Sequence, residues 1–215
     1  MIGISLEAAD ARNPEGQLFA DGMELFLKLK GGNLHTIKVT NKVASIVRFG
    51  YQQPAYSTES LRKLITNVAI GCPGLKELSI VAHVPDLRIE WSLPEDELKP
   101  RPFEKLQTFH LDTVLFDPNK TLKDILAQAR NLDELCLRLG YPDGSEGPAY
   151  LYFEDLLSVN PLDKLRRLTV DSCRMEPAAT QAVMDSCRSL RCFRFDPPGR
   201  DPPGSNEAFV ARSAH

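Results

Sequence analysis

The sequence predicts an α/β solenoid, a curved stack with parallel strands along its concave side and helices along its convex side. Three observations predict it. The phrase Leu-x-x-Leu-x-Leu, with Ile, Val or Phe allowed at the later positions, occurs six times in 215 residues. Each copy follows a segment whose apolar residues have helical spacing, the alternation that separates a repeat solenoid from scattered leucines. Leucine alone supplies 29 residues while aromatics make up 7% of the chain, so branched aliphatics must build the core.

The copies begin at Leu34, Leu75, Leu106, Leu132, Leu165 and Leu190, between 25 and 41 residues apart, so the repeats are irregular and average about thirty residues. Ahead of them, Ile2, Ile4 and Leu6 alternate with small or polar residues as in a strand. No helix precedes that strand. Residues 1–16 are therefore expected to be the remnant of a preceding repeat, and the missing polar cap points to a truncated chain or a short isoform.

The first helix is expected to bury Phe19, Met23, Phe26 and Leu27 and to stop at Gly31-Gly32. The second places Leu61, Leu64, Ile65, Val68, Ala69 and Cys72 on one face, following i, i+3, i+4, i+7 spacing. The third buries Leu122, Ile125, Leu126 and Ala129. Thr121-Leu122-Lys123-Asp124 predicts its start as a capping box, a reading that also accounts for the Thr of the glycosylation-like triplet Asn119-Lys120-Thr121. Shorter patterns follow at Phe153, Leu156 and Leu157, and at Ala179, Ala182, Val183 and Cys187 after Pro177.

Three stretches after strands are expected to project as loops from one edge: residues 41–57, the Pro-rich 84–102, where Trp91 either pins the loop back onto the stack or serves as a binding anchor, and 140–148. The solenoid should occupy residues 1–196. The twice-repeated Asp-Pro-Pro-Gly that opens residues 197–215 predicts a disordered tail.

Hydrophobic residues at 42% and charged residues at 26% describe a globular chain. No run of eighteen apolar residues and no basic, cleavable start are present, so an intracellular protein is expected, cytoplasmic or nuclear. Five cysteines, an odd number with no Cys-x-x-Cys pair, point to reduced thiols rather than disulfides or zinc. A net charge of −3 disfavours nucleic acid as the partner.

Leu165-Arg166-Arg167-Leu168-Thr169-Val170-Asp171-Ser172-Cys173 reads Leu-x-x-Leu-x-Leu-x-x-Cys, with Val170 at the third Leu position. Cys72-Pro73-Gly74-Leu75 and Cys187-Arg188-Ser189-Leu190 read Cys-x-x-Leu at a helix-to-strand junction, where Ala129-Arg130-Asn131-Leu132 substitutes Ala. On these motifs, over residues 17–196, the chain resembles leucine-rich-repeat proteins of the irregular, cysteine-containing kind that lies downstream of F-box motifs in fungal and other eukaryotic proteins. Val114 and Gly140 stand where that pattern would have a terminal Cys or Asn.

The resemblance implies substrate recognition in a ubiquitin ligase of the Skp1, cullin and F-box type, with transfer chemistry left to other subunits. It implies a Skp1–cullin link only if an F-box lies upstream. Leu93-Pro94-Glu95-Asp96-Glu97-Leu98 has the look of an F-box opening, but Lys99-Pro100-Arg101-Pro102 breaks the chain before any helix can follow. A freestanding monomeric scaffold or inhibitor that binds one protein is the alternative.

With the leucine positions pointing inward, the third, fifth and seventh residues of each copy face solvent on the concave sheet. The candidate partner-binding set is His110, Asp112, Glu134, Arg138, Arg167, Asp171 and Arg194. This mixed ladder either recognises a protein surface or only pairs across strands to keep the sheet soluble. His110, Cys136 and Cys192 share the same face, but lie on different repeats with no third group to orient a base. Cys72, Cys173 and Cys187 fit core positions. Phosphate-binding, hydrolase and metalloprotease motifs are missing, so neither an enzyme nor a cofactor or metal site is expected.

Overall fold

The computed structural model describes residues 3–7, 26–27, 29–40, 58–82, 102–114, 118–140, 150–160, 162–175 and 177–196. The expectations for Phe19, Met23, Trp91, the three long excursions and the tail fall outside these residues, apart from short stretches at the excursions' ends.

Seven strands form one parallel sheet in chain order: β1 Gly3–Glu7, β2 Thr36–Thr40, β3 Glu77–Ala82, β4 Thr108–Val114, β5 Glu134–Gly140, β7 Arg167–Asp171 and β9 Cys192–Asp196. A separate parallel pair joins β6 Tyr150–Leu151 to β8 Arg174–Met175. The fold is thus α/β, and each of the six sequence copies supplies one strand of the large sheet. All six share one register. Ile37, Leu78, Phe109, Leu135, Leu168 and Phe193 are partners in succession, as are Val39, Ile80, Leu111, Leu137, Val170 and Phe195. A slip of one residue would turn every one of these side chains out of the core, so the hydrophobic pattern enforces the register.

Those two rows and the six leading leucines join the helix faces in one continuous core. Among the described residues these faces include α1 Thr58–Gly71, α2 Pro118–Leu126, α3 Phe153–Val159 and α4 Pro177–Ser186. Helix α2 packs on α3, and α3 on α4. Ile65, Val68 and Ala69 of α1 are buried as their spacing predicts, as are Leu122, Ile125 and Leu126 of α2.

Two helix expectations are corrected. Phe26 is 38% exposed while Leu27 is 1% exposed. Successive helical residues lie about 100° apart, so only one of this pair can centre on the core face. Helix α2 begins at Pro118, three residues before Thr121, so Thr121 sits in the first turn and is not the cap. Proline suits that first turn, because its missing N–H would have had no partner in the helix.

The helix-to-strand junctions share a turn. The N–H of Leu34, Leu75, Leu106, Leu165 and Leu190 donates to the carbonyl of Gly31, Cys72, Phe103, Leu162 and Cys187 respectively, at 2.9–3.0 Å. Phe103 and Leu162 thus occupy the Cys position of Cys-x-x-Leu, within the matching sequences Pro102-Phe103-Glu104-Lys105-Leu106 and Pro161-Leu162-Asp163-Lys164-Leu165. Both are buried and both adopt left-handed backbone, φ 57° and 50°. That conformation costs a non-glycine residue about 1–2 kcal/mol, which burying the apolar side chain offsets.

Candidate functional site: the open face of the sheet

Strand geometry sends alternate residues to opposite faces, so residues between the buried ones form rows on the side away from the helices. Across β2, β3, β4, β5, β7 and β9 the first row is Thr36, Glu77, Thr108, Glu134, Arg167 and Cys192. The second is Lys38, Ser79, His110, Cys136, Thr169 and Arg194, and the third, from β3 onward, is Val81, Asp112, Arg138, Asp171 and Asp196.

Arg138 is the centre of the charged part. Its Nε donates to Asp171 Oδ2 at 2.8 Å and its Nη1 lies 3.6 Å from Asp112 Oδ2, so one guanidinium bridges carboxylates on both neighbouring strands. The Asp171 hydrogen bond raises the guanidinium above its ordinary range, and its proton is held at any working pH. Arg167 pairs with Glu134 at 2.7 Å, and Glu134 also stands 3.6 Å from His110 Nε2. Arg194 is 3.8 Å from Asp196 of its own strand.

All seven candidate residues lie on this face. His110, Asp112, Glu134, Arg138, Arg167 and Asp171 gather on β4, β5 and β7, whereas Arg194 stands apart on β9. The three arginines do not form a row: Arg138 is in the third, Arg167 in the first and Arg194 in the second, each beside its own acid. The side chains of Arg138 and Arg167 remain about 60% exposed despite their pairing. Sequence spacing alone does not say which acid each arginine would choose, because diagonal and in-register neighbours are both within reach of so long a side chain.

His110 and Cys136 are direct register partners, closer than their sequence separation suggests. Burial nevertheless pushes the Cys136 thiol above its ordinary value, an effect larger than the opposing pull of Arg138. A thiol held protonated is a weak nucleophile. Cys192 stands in another row, beside Arg167. Cys72 and Cys187, pushed up to about 11, and Cys173, to about 12, are buried and free, in the core positions expected for them. Among the described residues no group of three His, Cys, Asp or Glu is arranged for a metal ion, and no helix is long and apolar enough to cross a membrane.

Fold and face together define an α/β protein whose large parallel sheet is covered by helices on one side and presents paired charges on the other. No protein-family model matches the chain, and no curated protein matches it. Among solved structures it is similar to the C-terminal domain of tropomodulin from Caenorhabditis elegans, at 12% identity over 79% of this chain and 92% of that one, with a TM-score of 0.44.

Proposed function

We propose that the chain is a leucine-rich-repeat solenoid, curved with its strands on the concave side, and that it serves as a non-catalytic protein-interaction module. The observation that carries this reading is the charged cluster on β4, β5 and β7, where exposed arginines sit among carboxylates in fixed register. Paired charges on a rigid sheet suit a protein surface of matching pattern, which adds contacts without first ordering the side chains. The Cys-x-x-Leu junctions favour, by resemblance, the substrate-recognition repeats of an F-box-type ubiquitin ligase receptor in the cytoplasm or nucleus. A freestanding scaffold or inhibitor with one protein partner is the second reading.

Affinity purification of tagged wild type and of R138E/R167E/R194E from the same cells tests the proposal. The wild type should retain a partner that the variant loses, while both melt at similar temperatures, because exposed ion pairs contribute only about 0–1 kcal/mol each. Equal retention by the two proteins rejects the open face as the binding surface. A Skp1-type adaptor in the wild-type eluate supports the ligase reading, and its absence beside a specific partner supports the scaffold.

A further inference from the structure

The opposite chemistry gathers at the edge where the strands begin. Five junctions, residues 72–76, 103–107, 129–133, 162–166 and 187–191, carry seven Lys and Arg against three Asp and Glu, although the whole chain is net −3. The register stacks these junctions side by side. The Lys76 N–H donates to the His35 carbonyl, Gln107 to Lys76, Asp133 to Gln107, Arg166 to Asp133 and Arg191 to Arg166, at 2.8–2.9 Å. Residues just before and just after each leading leucine thereby become the walls of a groove of about 680 Å³, and a narrower pocket of about 360 Å³ extends it toward His35 through shared Lys76, Gln107 and Thr108.

Within the groove the cations differ in their freedom. Arg166 is paired with Asp133 at 3.1 Å. Lys164 Nζ donates to Asn131 Oδ1, and Asn131 Nδ2 in turn donates to the Glu104 carbonyl at 2.7 Å, which stiffens that wall. Lys76 and Lys105 are exposed and have no carboxylate partner among the described residues. Gln107, also exposed, lines both the groove and its narrower extension.

We propose that this strand-start groove binds an extended acidic peptide segment of a protein partner, with Lys76 and Lys105 pairing its carboxylates and Gln107 its backbone. From β2 to β9 the groove crosses five strand spacings, about 24 Å, the length of roughly seven extended residues. Nucleic acid fits it less well. Among the described residues no Phe, Tyr or Trp lines the groove to stack bases, and Glu77 and Asp133 in its lining interrupt what a continuous phosphate backbone would need. The groove adjoins the open face at Thr36, Glu77 and Thr108, but its lysines are not part of the charged cluster on β4, β5 and β7, so either proposal can fail without the other.

Fluorescence anisotropy at low salt with fluorescein-labelled decaglutamate tests it, alongside a labelled (Gly-Ser)5 peptide and a labelled ten-nucleotide oligothymidine. The expected result is decaglutamate binding that weakens with salt, falls at least tenfold in K76E/K105E, and changes less than twofold in R138E/R167E. The milder K76Q/K105Q pair, with circular dichroism on every variant, separates loss of the site from loss of the fold. Decaglutamate binding no tighter than (Gly-Ser)5, equal binding by K76E/K105E and wild type, equal loss in R138E/R167E, or tighter binding of oligothymidine would each overturn the proposal.

Discussion

The Asn160 side-chain amide donates to the Leu126 carbonyl at 2.8 Å, tying the end of α3 to the last residue of α2 across 34 positions of sequence. The same amide reaches the Ala129 carbonyl at 3.1 Å, and Asn160 Oδ1 accepts the Leu162 N–H at 3.1 Å. One buried side chain thus satisfies two carbonyls at a helix end and fixes the left-handed Leu162 turn that leads into β7.

Removing that side chain takes the hydrogen bond from the Ala129 carbonyl and the Leu162 N–H, each costing about 1–3 kcal/mol, whereas the Leu126 carbonyl still accepts the Ala129 N–H at 3.2 Å. Asn160→Ala should lower stability by about 2–4 kcal/mol in urea unfolding. A loss under about 0.5 kcal/mol would mean that water replaces the side chain at the Ala129 carbonyl and the Leu162 N–H.

Gly31 lies against the end of α1. A Cβ there would sit 2.2 Å from the Gly71 carbonyl oxygen, a backbone atom that cannot swing aside. Gly31→Ala should therefore cost about 1–3 kcal/mol through overpacking, whereas Gly32→Ala, which meets nothing within 4 Å, should be close to neutral. Thermal melts of the two variants make the comparison directly.

Leu135 is fully buried on β5, an interior strand, stacked between Phe109 and Leu168. Leu135→Ala should cost about 2–5 kcal/mol through loss of burial and the cavity left behind. Chemical denaturation measures it, and a value under about 1 kcal/mol is inconsistent with the register described.

The cysteines should fall into two classes. Native protein at pH 8 should expose Cys192 to a thiol reagent, with half-buried Cys136 reacting more slowly because burial raises its thiol, while Cys72, Cys173 and Cys187 stay protected until unfolding, because they are buried and their thiols are pushed up to about 11 to 12. Mass spectrometry after a short iodoacetamide pulse reads out each site. Early labelling of Cys173 would contradict the core packing around β7.

Much of the fold was legible because most repeats state their period twice, once as alternation in the strand and once as 3.6-residue spacing in the helix. Leu-x-x-Leu-x-Leu places Leu75, Leu78 and Ile80 in the core wherever the neighbouring repeats stand. The Thr121 cap and the inward Phe26 failed for local reasons: Pro118 offered an earlier start, and Leu27 competed for the core face. The junction turn at Phe103 and Leu162 carried a signal in the paired Pro-Phe-Glu-Lys-Leu and Pro-Leu-Asp-Lys-Leu sequences, hidden because Cys-x-x-Leu draws the eye to sulfur rather than to burial.

The amino-acid sequence by itself determined that six similar units stack through aliphatic side chains, and which residues of each unit face away from them. Only the tertiary structure decided which charges meet. Arg138 reaches Asp112 and Asp171, Arg167 turns instead to Glu134, and Lys76 comes to share one groove with Lys105 and Lys164. Hydrophobic burial is proportional to area and indifferent to direction, so a short local pattern encodes it. An ion pair or an anion groove depends on distances of a few ångströms between residues some thirty positions apart, and those distances exist only once the strands are in register.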